Sequence, residues 1–187
     1  MVYVYSSFLI ILTLFVQGCA PRDSAMLDRG SPAPRATVFF FIATDCPISN
    51  GYAPEIIRIC NEYGPCGVSF QAVYPDPDST PEQVARHRAE YGLPCPAVID
   101  PDHRLTRQAG ATVTPEVAVF VPVGVNGESQ VVYRGRIDDR HTDLGRSRPT
   151  PGVRDLREVL DAVLAGHAPI ELVTRPAVGC HIPNAKG

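Results

Sequence analysis

A continuous run of apolar, β-branched and aromatic residues from Ala36 to Ile42 (ATVFFFI) predicts a strand buried on both faces. Pro47 to about Tyr63 reads as helix, with Ile56, Ile57 and Ile59 as its apolar positions and Pro54 in its interior, where a kink is expected. Val68 to Tyr74 (VSFQAVY) predicts a second strand. Thr80 is an N-cap before Pro81, Gln83 completes a capping box, and the helix should run to about Tyr91 and stop at Gly92. Ala97 to Ile99 is a short strand, and Glu116 to Val121 with Gln130 to Arg134 predicts a hairpin around Asn126-Gly127. Gly152 to Ala165 is the last helix, with Val153, Leu156, Val159, Leu160, Val163 and Leu164 along one face. Strand, helix, strand, helix, hairpin and helix in that order imply a three-layer α/β domain.

The N-terminus does not belong to that pattern. Phe8 to Val16 (FLIILTLFV) is too short for a comfortable membrane span, and small and polar residues follow it at once. This is the h-region and cleavage site of an export signal. Val16-Gln17-Gly18-Cys19 resembles a bacterial lipobox, which implies lipid attachment at Cys19 and anchorage to the membrane of the cell envelope. A short uncleaved anchor with a structural Cys19 is the alternative. The chain therefore divides into a signal peptide (1–18), a flexible tether (19–35), a folded domain (36–166) and a C-terminal tail (167–187).

Charge and composition narrow the function. The net charge is -3 and the arginines are scattered, with Lys186 the only lysine, so the pattern gives no reason to expect nucleic acid as a partner. The six cysteines matter more, because in an oxidising compartment they can be disulfides. With Cys19 lipidated, Cys46, Cys60, Cys66, Cys95 and Cys180 remain, an odd number that points to at least one free or reactive thiol.

Cys46 stands just before a predicted helix, where several backbone N–H groups lack partners and the helix dipole favours negative charge. Both favour the thiolate, the reactive form of cysteine. Pro47 suits the first helical turn, and Ser49 stands three residues after Cys46, where a dithiol enzyme would carry its second cysteine.

Cys46-Pro47-Ile48-Ser49 followed by Ala53-Pro54 resembles the active-site helix of the thioredoxin superfamily. Gly110 to Val117 (GATVTPEV) looks like the loop whose cis proline faces the active-site cysteine there, with Thr114-Pro115 as the cis bond. The segment between, through YGLPCPAVIDPDHRLTRQAGA, resembles the insertion of redoxins and peroxiredoxin-like proteins. Asp45-Cys46-Pro47-Ile48-Ser49-Asn50, Thr114 to Val117, Gly135 to Asp139 and Gly179-Cys180 together match the signatures of a bacterial redoxin-domain family. The resemblance implies a thioredoxin-like α/β/α sandwich with a redoxin-type insertion. It also implies thiol chemistry without a cofactor or metal, and a protein or small thiol/disulfide as redox partner. Departures qualify it: Ser49 precludes a disulfide within the motif, Asp45 replaces the usual aromatic, and Ala43 stands where the peroxiredoxin pattern needs a hydroxyl. The Cys-x-x-x-Cys-Pro pair of the Sco-type copper proteins is absent.

These observations lead to an exported redoxin acting in thiol–disulfide exchange or a related thiol-dependent, antioxidant-type reduction. Cys46 would be the nucleophile, Ser49 a hydrogen-bond donor to its thiolate, and Thr114 and Pro115 a docking edge for the substrate. The alternatives are a non-catalytic binding module with Cys46 in a structural disulfide, and a metallochaperone. Cys180 is within chain reach of Cys46 and is its candidate disulfide or resolving partner; a disordered tail or an intermolecular bond is the alternative. Cys60 and Cys66 form either a short-range disulfide or two packed thiols. Cys95 reads as a buried small hydrophobe, His87 and His103 as surface or capping residues, and His181 beside Cys180 as too few ligands for a metal. Arg136, Asp138, Asp139 and His141 are expected on the Cys46 side.

Overall fold

The computed structural model describes residues 33–124 and 127–182. The segment expected to be an export signal, the expected lipidation position Cys19, most of the expected tether and Asn126 of the hairpin turn lie outside the described residues. The elements in chain order are β1 (Ala36–Phe41), α1 (Pro47–Tyr63), β2 (Val68–Tyr74), α2 (Pro81–Tyr91), β3 (Ala97–Ile99), α3 (Arg104–Ala109), β4 (Val113–Thr114) and β5 (Glu116–Val123). They continue with β6 (Glu128–Gly135), β7 (His141–Asp143), β8 (Arg146–Ser147), α4 (Asp155–Leu164), β9 (Val173–Arg175) and β10 (Cys180–His181). A single 3-10 turn, Gly64–Cys66, separates α1 from β2.

One sheet in the order β3-β2-β1-β5-β6-β9 forms the middle layer. β1 lies at its centre, parallel to β2 and antiparallel to β5, which explains its unbroken apolar run. Val38, Phe40 and Ile42 pack toward α1 and α4 with Tyr52, Ile56, Ile59, Leu156 and Leu160. Phe39 and Phe41 face the other side, where Ala109 of α3, Ala111 and Ile182 close a second cluster. The result is the thioredoxin-like three-layer sandwich. Among the described residues no helix is long and apolar enough to cross a membrane.

Several elements form where local chemistry required them. The Thr80 side chain accepts from the Gln83 amide, Gln83 returns a bond to Thr80, and Gly92 ends α2 at φ 64. The last helix is shorter than expected at its start, because the Gly152 and Val153 amides donate to Asp139 at 2.7 and 3.0 Å instead of entering α4. α3 was not visible in the periodicity. It is held by Asp100, whose carboxylate accepts from the amides of Arg104, Leu105 and Thr106 at 2.7, 3.3 and 2.8 Å.

Both histidines, read as surface or capping residues, are interior; His103 does stand at the N-cap of α3, without a side-chain cap bond. His103 is buried at φ 54 and its ring donates to the Pro75 carbonyl at 2.7 Å. His87 is buried between Tyr74 and Asn50.

The tail is stitched back onto the sheet. β9 pairs parallel with β6, setting Arg175 beside Gly135. At Gly135, φ is +149 and an added Cβ would fall on the Arg175 carbonyl, 2.9 Å from its carbon. Only glycine satisfies both the backbone angle and the contact. Gly135→Ala should therefore lower unfolding stability by about 1–3 kcal/mol and increase amide exchange at Val173–Arg175. A variant with unchanged stability and protection in urea melts and hydrogen exchange would show that β9 is not held this way.

Candidate functional site

Cys46 is the N-cap of α1, with φ -85, ψ 110 and no side-chain cap bond. β1 delivers it to this end of the sheet, and Pro47 opens the helix without a wasted donor. The turn before it is fixed by a relay of hydrogen bonds. The Asn50 amide donates to the Thr44 carbonyl at 3.2 Å, so the Asn50 oxygen is left to accept from His87 Nε2 at 2.9 Å. His87 Nδ1 then accepts from the buried Tyr74 hydroxyl at 2.9 Å. This tautomer is assigned from the network. Burial keeps the His87 ring below its ordinary pKa, against an opposing pull from Glu90, so the neutral form that the relay needs is favoured.

The Thr114–Pro115 peptide is cis, as its motif led us to expect. It brings the Thr114 carbonyl oxygen to 3.1 Å from Cys46 Sγ. Glu116 fastens this loop. Its buried carboxylate accepts from the amides of Thr112 and Val113 at 2.7 and 3.3 Å and faces Arg134 at 3.7 Å. Sequence reasoning gave no role to Glu116 and Asn50, although both sit inside the quoted signatures, and it read His87 as a surface or capping residue.

The tail completes the site. β10 pairs antiparallel with β4, opposing Cys180 to Thr114 and His181 to Val113. Cys46 Sγ and Cys180 Sγ lie 2.6 Å apart across 134 positions of sequence, and either can act as donor. An added Cβ at Gly179 would fall on the Thr114 carbonyl and 3.1 Å from Pro115 N, so the strand approaches this closely only with glycine there.

Cys46 is buried, with 1% of its surface exposed. Burial is the largest influence on its thiol and pushes its pKa up. Hydrogen bonds from the Cys180 side chain first, then the Ser49 amide and the Cys180 backbone, outweigh it and hold the group below the ordinary 9.0. The buried Ser49 hydroxyl has no hydrogen-bond partner among the described residues. A helix N-terminus alone contributes about 0.3–1 kcal/mol, less than the roughly 1.4 kcal/mol of one pKa unit, so these bonds are needed against burial. Cys180 moves the other way, up to about 11, through burial first, then its bond to Cys46 and the charges of Cys46 and Asp45. The pair is therefore polarised: Cys46 is the thiol that loses its proton first, and Cys180 is the one that keeps it.

The GRIDDRH loop also reaches this end. Asp138 accepts from the Tyr52 hydroxyl at 2.6 Å and the Arg140 amide at 2.9 Å, while the His141 ring lies 5.2 Å from that of Tyr52. Arg136 donates to Asp155 at 2.7 Å. These groups brace α1 against the start of α4, and their carboxylates are occupied in doing so.

Cys46, Ser49, Thr114, Pro115 and Cys180 thus gather at one place. Cys60 and Cys66 do not form a bridge, which corrects that expectation. Cys60, a free thiol on the inward side of α1, donates to Cys95, and this bond followed by burial pushes its pKa up. The Cys66 sulfur lies beyond the helix, 3.5 Å from the Glu62 carbonyl oxygen. Among the described residues no three His, Cys, Asp or Glu side chains converge as a cation site.

The Redoxin family model matches residues 27–145. Among solved structures, the chain is similar to an uncharacterized conserved protein from Geobacillus kaustophilus, with 31% identity, 81% of this chain and 78% of that one covered, and a TM-score of 0.65. It is also similar to a hypothetical protein from Sinorhizobium meliloti, with 25% identity, 83% and 82% covered, and a TM-score of 0.65. No curated protein matches.

The polarised pair gives a pH prediction. Thiolate is the alkylating species, so iodoacetamide labelling of Cys46 in the reduced protein should rise with pH through a midpoint below the ordinary thiol value. In Cys180→Ala the midpoint should move upward, because the Cys180 side-chain bond that holds it down is lost. Peptide-resolved mass spectrometry of pulse-labelled protein measures both; an unshifted midpoint would refute the polarisation by Cys180.

Proposed function

The chain belongs to the redoxin family, and from that premise we propose that it is an exported thiol–disulfide oxidoreductase. Cys46 is its nucleophile and Cys180 its resolving cysteine. The observation that carries this reading is the 2.6 Å approach of the two sulfurs, made where Ser49 leaves no local resolving thiol. The catalytic cycle alternates between a Cys46–Cys180 disulfide and the dithiol. The Cys46 thiolate attacks a substrate disulfide, forming a mixed disulfide and releasing one substrate thiolate. Cys180, after losing its proton, attacks Cys46 Sγ, frees the second substrate thiolate and closes the Cys46–Cys180 bond. Two electrons pass from the dithiol to the substrate, and an external dithiol, itself oxidised to a disulfide, restores the Cys46–Cys180 dithiol. Thr114 and Pro115 supply the docking edge.

A polypeptide substrate suits the site better than a small molecule. The hollow beside the pair, lined by Asp45, Asp76, Thr114 and Cys180 among others, holds about 140 Å³, against the roughly 300–1,000 Å³ of usual small-molecule pockets. Export and a lipid anchor at Cys19 are part of the proposal and rest on the N-terminal sequence.

One observation favours a second reading. The near-complete burial of Cys46 suits a permanent structural disulfide in a binding module. Reduction of insulin disulfides with dithiothreitol as donor separates the two. The oxidoreductase should accelerate insulin reduction, Cys46→Ser should lose that activity, and Cys180→Ser should accumulate a mixed disulfide with insulin. A Cys46–Cys180 bond that survives excess dithiothreitol in the folded protein, with no insulin reduction, would establish the structural reading instead. For the anchor, Cys19→Ala should shift the protein from the detergent-extracted membrane fraction to the soluble fraction; an unchanged distribution would refute lipidation.

A further inference from the structure

The edge offered by Val113–Thr114 already has an occupant, and its side chains describe what the edge accepts. At the first position, Gly179 lies so close to Thr114 and Pro115 that a side chain has no room. At the second, Cys180 pairs with Thr114 and sets its sulfur on Cys46. At the third, His181 is exposed and contributes backbone pairing to Val113. At the fourth, the Ile182 amide donates to the Thr112 carbonyl at 3.1 Å, and its side chain is 5% exposed among Phe41, Val73, Ala111 and Phe120. The receiving strand is itself rigid, since Glu116 holds the amides of Thr112 and Val113. One position is closed to side chains, one is fixed by sulfur, one is open and one is an apolar socket.

We propose that this edge is a binding site for an extended protein segment of the form Gly-Cys-x-aliphatic, and that residues 179–182 are its resident occupant, which a partner segment must displace. The proposal rests on Cys46 being the redox nucleophile. A partner strand of this form reproduces each bond that the tail gives up, so the exchange leaves neither the Thr112–Thr114 edge nor the apolar socket unfilled. With the oxidised chain, the partner's cysteine thiolate attacks Cys46 Sγ. The new sulfur–sulfur bond joins partner and Cys46, the Cys46–Cys180 bond breaks, and Cys180 leaves as a thiolate that takes a proton from water. One disulfide is lost and one is gained, with no outside oxidant.

The test uses full-length Cys180→Ser and peptides whose cysteine is activated as a mixed disulfide with thiopyridine. Attack by Cys46 forms the peptide–Cys46 disulfide and expels thiopyridone, read by its absorbance. The peptides are Val-Gly-Cys-His-Ile, which copies residues 178–182, and versions with Ala for the glycine or Ser for the isoleucine. Each rate is compared with that of dithiodipyridine, which needs no strand pairing. The parent peptide should react about tenfold faster than either altered peptide, as loss of one good contact implies. Adding Gly179→Ala to the chain, which loosens its own tail, should speed the parent peptide further. Equal rates for the three peptides, with dithiodipyridine still reacting, would overturn this specificity and leave the oxidoreductase reading standing. A Cys46 inert even to dithiodipyridine would overturn both.

Discussion

A sulfur atom that must be out of water and yet able to carry charge sets the conditions around Cys46. Burial works against the thiolate more strongly than a helix terminus works for it. The deficit is met by groups brought from distant parts of the chain, chiefly the Cys180 side chain, with the Ser49 amide close by. The surrounding architecture serves to keep those donors in register. β1 brings Cys46 to the sheet end, Glu116 sets the Thr114 loop opposite it, and Gly179 lets the tail close in.

α1 transmits this arrangement into the body of the domain. Its first turn is tied through Asn50 and His87 to Tyr74 in β2. Farther along, buried Glu55 accepts from Arg157 of α4 at 2.9 Å and from Arg58 at 2.8 Å. Burial would raise its pKa, but the two guanidinium groups hold it below the ordinary carboxylate value. At its last turns Cys60 meets Cys95. The helix that presents Cys46 is therefore fixed to β2 through His87, to the loop before β3 and to α4 along its length.

What could be read from the sequence was what local chemistry decides. The capping box at Thr80 and Gln83, the stop at Gly92 and the strands at 68–74 and 97–99 follow from neighbouring residues alone, and each stands where it was placed. Residues 173–175 and 180–181 carry no such signal. They are two or three residues long and mostly exposed, and they become strands because β6 and β4 offer them unpaired edges. His87 looked like a surface residue because nothing within α2 reveals that Tyr74 and Asn50 bracket it. Cys60 and Cys66 are close in sequence, but the turn of α1 aims Cys60 inward to Cys95. The positions of Cys46, Ser49, Thr114 and Pro115 were legible as motifs; the supporting Glu116 and Asn50 lay in those motifs without a stated role, because their partners are backbone groups.

The tail is fastened twice, at Arg175 on β6 and at Cys180 on β4, with only residues 176–179 between. Once parted from Cys46, Cys180 would still swing on a leash of about 13 Å, at roughly 3.3 Å per residue. Confined to a sphere of that radius, its sulfur has an effective concentration on the order of 0.1 M as seen from Cys46. Free thiols at millimolar or lower levels cannot match that by collision alone. On the proposed resolving role, a thiol joined to Cys46 is expelled by Cys180 faster than free thiols at such levels replace it.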